Sequence, residues 1–241
     1  MERSCLDNIT IVLVEPQDSG NIGSVCRAMK TMGITELRIV SKTEYDENRI
    51  KTLALHAFDI WENRKTFNEL KDALSDCNLT VGTSRRHGKF RKTRFFTPKE
   101  LASELEKKYC KKTAIVFGCE SSGLTDEQLR ECQCLVSIPT SDYFPSLNLS
   151  HAVQIICYEL YQTLKKYPDT EKTVTIKRAE EVSNICLDAL DAINYFKVSS
   201  ERNFTGDFLR DIIGRAGLTE GEVQRFQKIF TKTSAILNHK Q

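Results

Sequence analysis

Residues 9–33, ITIVLVEPQDSGNIGSVCRAMKTMG, begin with the apolar, β-branched run Ile9-Thr10-Ile11-Val12-Leu13-Val14 and end on Gly33. A short, unbroken apolar run of this kind suits a strand buried on both faces of a parallel sheet. The Asp18-Ser19-Gly20 turn stops it, and residues 23–32 then read as a helix closed by Gly33, where a left-handed cap favours glycine. A strand that passes through a glycine-bearing turn into a helix is the opening unit of an alternating α/β chain.

The same alternation continues outward from this segment. Residues 37–40, 79–82, 114–117 and 135–138 read as further strands. Residues 53–58, 67–74, 97 towards 108 and 148 to about 164 read as helices. Thr97-Pro98-Lys99-Glu100 and Thr125-Asp126-Glu127-Gln128 are capping boxes, the first with proline at the first helical position. The expected fold class is therefore α/β with a mainly parallel sheet, occupying residues 1–166. Residues 167–175, around Tyr167-Pro168-Asp169, read as a linker, and residues 176–241 as a helical extension. One apolar stripe of that extension is Val182, Ile185, Ala189, Ile193 and Phe196, another is Val223, Phe226 and Phe230, and Thr219 to Glu222 is a third capping box.

Composition limits what this fold can serve. A chain of 241 residues holds one domain and a small appendage, and 40% hydrophobic with 28% charged residues describes a soluble protein with a real core. The formal net charge is only +2, so an anionic partner must be met by local basic clusters. Nine cysteines without a CxxC pair read as reduced thiols. The amino terminus has no apolar targeting core and no run approaches about 18 apolar residues, so a cytoplasmic, membrane-free protein is expected.

Chemistry concentrates in three turns. Ser19 to Ser24 follows the first strand, Gly118-Cys119-Glu120-Ser121-Ser122-Gly123 follows the strand at 114–117, and Ser146-Leu147-Asn148-Leu149-Ser150 opens the last helix of the domain. In open α/β sheets ligands sit beyond the carboxyl ends of the strands, where all three turns lie. Neither a GxGxxG fingerprint nor a Walker A loop is present, and Glu120 stands where a pyrophosphate would be repelled. The segment Arg85 to Arg94 carries Arg85, Arg86, Lys89, Arg91, Lys92 and Arg94, with Phe90 between them. A basic loop with an aromatic residue suits RNA phosphates and a splayed base. His56, His151 and His239 are too scattered for a metal site, so no metal is expected, and Trp61 reads as core.

The segments NIGSVCRAMKTMG (21–33), VGTSRR (81–86), FGCESSGL (117–124) and IPTSDYFPSLNLSHAVQ (138–154) resemble, in order, the motifs of the SPOUT superfamily, within it the tRNA/rRNA 2′-O-ribose methyltransferases. The stretch FLRDIIGRAGLTEGEVQRFQKIF (208–230) is similar to the helical extension of the TrmJ branch, which methylates the first nucleotide of the tRNA anticodon loop. The resemblance implies a domain with a carboxyl-terminal trefoil knot, a homodimer, S-adenosylmethionine as cofactor, and a cytidine or uridine of tRNA as substrate. It implies catalytic roles for Arg27, Asn21, Glu120 and Ser146, with Arg27 gripping the RNA. It implies cofactor contacts from Thr83, Ser84, Arg85, Gly118, Ile138, Pro145, Ser146, Leu147 and Asn148. The residues by themselves leave Asn21 open between helix cap and orienting group, and Asn148 open between cofactor contact and helix cap. An rRNA methyltransferase and a non-catalytic RNA-binding protein of the same fold are the alternative readings.

Overall fold

A computed structural model describes residues 5–85, 95–107, 111–165 and 173–238. The chain divides into two compact units, Met1–Thr170 and Glu171–Gln241. No helix among the described residues is long and apolar enough to cross a membrane.

The first unit is built on seven strands: β1 (Ile9–Val14), β2 (Glu36–Val40), β3 (Lys65–Phe67), β4 (Leu79–Thr83), β5 (Phe95–Phe96), β6 (Thr113–Phe117) and β7 (Cys134–Val136). All pairings are parallel and the spatial order is β3-β2-β1-β6-β4-β7-β5. Every residue of β1 and of β6 is buried, which is why both read as unbroken apolar runs. The connections are helical: α1 (Ser19–Thr31), α2 (Glu47–Ala54), α3 (Phe58–Glu62), α4 (Leu70–Leu74), α5 (Pro98–Lys107), α6 (Asp126–Arg130) and α7 (Leu149–Leu164). Ile22, Val25 and Met29 of α1 and Val153, Ile156 and Leu160 of α7 share one core with Ile11, Leu13, Ile115 and Phe117 of the sheet.

Local sequence explains the element ends. Asp18 caps α1 by accepting from the backbone N–H groups of Gly20 and Asn21, at 2.6 and 3.1 Å. Gly33 follows α1 with φ +69°, a conformation that costs a residue with a Cβ about 1–2 kcal/mol. Thr125 and Gln128 close a capping box on α6, as do Thr97 and Glu100 before α5. A Cβ on Gly23 would overlap the carbonyl oxygen of Ile50, so α1 and α2 approach backbone to backbone there.

Several expectations are corrected. The helix expected over residues 53–58 is two helices separated by a 3₁₀ turn, because Leu55 adopts φ 52° and breaks the ladder. The helix expected from residue 67 starts at Leu70, since Lys65–Phe67 pair with β2 as a strand. The short strand β5 has no counterpart in the sequence reading. Cys5 is disulfide-bonded, whereas the other seven described cysteines are free thiols.

The second unit holds α8 (Ile176–Asp191), α9 (Ser199–Ala216) and α10 (Glu220–Asn238). Its core is Ala179, Val182, Cys186, Leu187, Leu209, Ile213 and Val223, with Phe226 and Phe230 packed against it. The stripe of α8 is therefore rotated from the expected one: Cys186 and Leu187 are buried where Ile185 and Ala189 are half-buried. The Thr219–Glu222 capping box forms as read, and α9 ends on Gly217 in the left-handed region. Most of the expected linker lies outside the described residues.

Candidate active site at the carboxyl ends of four adjacent strands

Strand order decides which turns meet. From β1 the chain winds outward to β2 and β3, then crosses back so that β6 and β4 lie on the other side of β1. This reversal is a topological switch point, and a crevice opens there beyond the strand ends. Because Leu13 pairs with Phe117, the turn after β1 faces the turn after β6. Gly82 pairs with Val116 and Thr83 with Val136, so the ends of β4 and β7 complete the row.

A cavity of about 290 Å³ opens along the β6, β4 and β7 part of this row. Thr83, Ser84 and Arg85 line it from the end of β4, Gly118 and Glu120 from the end of β6, and Ile138 from the end of β7. Pro145, Ser146 and Leu147 close it from the segment before α7. Cys119, Ser121, Ser122 and Thr140 also line it, and the sequence reading assigned them no role. Its walls are rich in backbone because the turn after β6 folds back on itself: the Gly123 N–H donates to the Cys119 carbonyl at 2.9 Å. A Cβ on Gly118 would overlap the backbone of Gly123 and Leu124, so that close approach needs glycine. Burial pushes the Cys119 thiol up, but its hydrogen bonds with Ser122 and Ser121 together outweigh this and bring it below the usual thiol value. By contrast burial raises the thiols of Cys26 and Cys157 to about 12.

Beside the cavity, one hydrogen-bonded network joins the three turns. The Glu120 carboxylate accepts from the backbone N–H groups of Gln17 (2.8 Å) and Asp18 (3.2 Å) and from Nδ2 of Asn21 (2.9 Å). Oδ1 of Asn21 accepts in turn from Nδ2 of Asn148 at 2.9 Å. Asn148 uses its remaining oxygen to cap α7, accepting from the backbone N–H of Ser150 at 2.8 Å and from its hydroxyl at 2.7 Å. Asn148 is not among the residues that line the cavity; both polar atoms of its amide are engaged, by Asn21 and by the helix start. Asn21 is equally occupied, and the cap of its own helix is Asp18, not Asn21.

Arg27 lies two turns further along α1, exposed, and its guanidinium has no partner among the described residues. Arg85 is exposed at the cavity's edge. Arg86, Lys89, Phe90, Arg91, Lys92 and Arg94 of the basic segment lie outside the described residues. Trp61 is 2% exposed, edge-on to Tyr45 and under the Arg64 guanidinium, so it is core as expected. Gln17 went unnoticed in the sequence because nothing in a lone glutamine before a turn marks it. In the fold its Oε1 accepts from the Ser121 N–H at 3.1 Å.

The profile of the SpoU rRNA Methylase family matches residues 8–158. The chain is 43% identical over 156 residues to "tRNA (cytidine-2′-O-)-methyltransferase TrmJ" of Methanocaldococcus jannaschii, covering 64% of this chain and 67% of that one. It is 43% identical over 157 residues to "tRNA (cytidine/uridine-2′-O-)-methyltransferase TrmJ" of Pectobacterium atrosepticum, covering 64% of each. The match thus spans about two thirds of these relatives' length. Among solved structures, a probable methylase family protein from Haemophilus influenzae superposes with TM-score 0.63 at 31% identity, covering 98% of this chain and 100% of that one. TrmJ from Z. mobilis shares the fold, with TM-score 0.73 at 24% identity over 93% of this chain and 98% of that one.

Proposed function

This chain belongs to the SpoU rRNA methylase family, and from that premise we propose that it is an S-adenosylmethionine-dependent methyltransferase of tRNA. Its target is the ribose 2′-hydroxyl of a cytidine or uridine, the first nucleotide of the anticodon loop. The observation that carries this reading is the cavity beyond the ends of β6, β4 and β7, walled by backbone and small polar groups. The family's description names ribosomal RNA; the tRNA substrate is supported by relatives at 43% identity that are named for it.

The residues present fit a nucleoside cofactor. Gly118 leaves the turn free of side chain where a Cβ would close it, and Ile138 and Leu147 offer apolar faces for a flat ring. Thr83, Ser84, Arg85, Pro145 and Ser146 supply polar and main-chain groups around it. Bound there, S-adenosylmethionine supplies an electrophilic methyl group.

The chain's own task is to hold a ribose hydroxyl in line and to manage its proton. Arg27 is always charged and presents a planar fork, which suits a grip on the substrate's phosphate and ribose oxygens. Glu120 and Asn21 act as positioning residues, because the carboxylate already accepts three hydrogen bonds and the amide bridges Glu120 to Asn148. With both Glu120 oxygens taken up by these hydrogen bonds, the hydroxyl proton leaves to a substrate phosphate oxygen or to water. Ser146, on the cavity wall, holds the cofactor side of the reacting pair.

We extend the reading to a homodimer whose threaded trefoil knot contains the third turn and α7, on the strength of the four ordered motifs. The exposed His151 and Tyr158 of α7 are compatible with such a contact. A tRNA substrate also supports a cytoplasmic location. Transfer of labelled methyl from S-adenosylmethionine to unmodified tRNA and to ribosomal RNA tests the assignment. Label in tRNA is the expected result; label in ribosomal RNA alone moves the substrate, and none in either overturns the enzyme.

A further inference from the structure

Gln17 sits in the turn between β1 and α1 and is exposed, yet it is held at both ends. Its backbone N–H donates to Oε2 of Glu120 at 2.8 Å, and its side-chain Oε1 accepts from the backbone N–H of Ser121 at 3.1 Å. Ordering a long polar side chain in water costs rotamer entropy that a plain turn does not require. The orientation of the amide follows from chemistry: a backbone N–H can only donate, so the oxygen faces Ser121 and the NH₂ group faces away. Those two N–H donors have no partner among the described residues. Ser121, which fixes them, lines the cavity, and on the helix that follows the turn the exposed Arg27 guanidinium likewise has no partner among the described residues.

We propose that Gln17 is a substrate-contact residue, whose amide, clasped by Ser121, donates to an acceptor oxygen of the RNA nucleotide at the active site. This rests on the RNA-methyltransferase reading. Every nucleotide offers such acceptors in its phosphate and ribose, and both pyrimidines add the carbonyl O2. The clasp strengthens the contact, because a pre-oriented donor binds without a further ordering cost.

Two variants separate contact from clasp. Gln17→Glu keeps an acceptor for Ser121 but loses both donors; Gln17→Met keeps the length, stays neutral and loses both functions. Binding of an unmodified tRNA transcript is measured by fluorescence anisotropy with S-adenosylhomocysteine present, and S-adenosylmethionine affinity by calorimetry. Both variants are expected to weaken tRNA binding about five- to tenfold, the loss of one hydrogen bond to a polar or charged acceptor, with cofactor affinity within about twofold of wild type. A transcript with a purine at the target position distinguishes the source: a loss restricted to pyrimidines assigns the contact to O2, and a uniform loss to phosphate or ribose. Unchanged tRNA affinity in either variant overturns the proposal. So does a matching loss of cofactor affinity, which would leave Gln17 a clasp alone. Wild-type protein that neither binds nor methylates tRNA would instead sink the functional reading itself.

Discussion

At the scale of single residues, the division of labour follows from which groups are already engaged. Glu120, Asn21 and Asn148 have their polar atoms engaged by one another and by the starts of α1 and α7, whereas Arg27 is exposed and has no partner among the described residues. Arg27→Ala should therefore lower kcat by at least about a hundredfold, as loss of a charged contact to substrate does, and leave S-adenosylmethionine affinity within about twofold. Steady-state kinetics and calorimetry read the two quantities; a parallel loss of cofactor affinity would reassign Arg27 to the cavity. The sequence marked Arg27, Asn21 and Glu120 through a motif. It left Asn148 ambiguous, since one side chain cannot announce whether it faces a cavity or a neighbouring amide. Gln17 carried no signal, because its importance lies in a contact 104 residues away in the chain, with Ser121.

At the scale of elements, burial decided what could be read. β1 and β6 are buried along their whole length and were plain in the sequence, and so was α7, with its unbroken apolar face. β5 is two residues long, too short for any period, and exists because Phe95 and Phe96 pair with Leu135 and Val136. α2 and α3 merged in the reading because the break at Leu55 is a left-handed backbone at a leucine, which propensity opposes. The turn after β6 is the element on which the cavity depends. Gly118→Ala places a methyl group against the backbone of Gly123 and Leu124, so the turn must open. Overpacking of that kind costs about 1–3 kcal/mol. The expected outcome is a lower Tm together with at least a tenfold weaker S-adenosylmethionine affinity; a variant that binds the cofactor normally would remove that turn from the site.

At the scale of the whole first unit, chemistry and stability occupy opposite ends of the sheet. The site lies beyond the carboxyl ends of the strands, while Glu36 opens β2, Asp76 precedes β4 and Lys112 precedes β6. There the buried Arg38 binds Glu36, Asp76 and the carbonyl of Ala73, and Lys112 reaches Asp76 at 2.7 Å. Burial alone would raise both carboxyls, but the hydrogen bonds from Arg38, helped at Asp76 by Lys112, outweigh it and hold them below their ordinary values. The unfolded chain therefore binds more protons than the folded one in the acid range. The contribution of this network is complete above the ordinary carboxylate range, about pH 4, and is lost as pH falls towards the lowered values. Asp76→Asn should lower stability near neutrality by about 1 kcal/mol, discounted because Asp76 is half-exposed, and flatten the acid decline. Thermal unfolding between neutral and acid pH reads both, and a variant with the wild-type acid slope would contradict this account.

The central claim, that the row of turns at the switch point methylates a ribose hydroxyl in tRNA, is tested most directly by mass spectrometry. Unmodified tRNA is incubated with the protein and S-adenosylmethionine, digested with a base-specific nuclease, and its fragments and nucleosides are mapped. The account predicts 2′-O-methylcytidine or 2′-O-methyluridine in the fragment that contains the first anticodon-loop nucleotide, and its absence with Arg27→Ala. A methyl group on a base, or no methylated nucleoside from active wild-type protein, would contradict it.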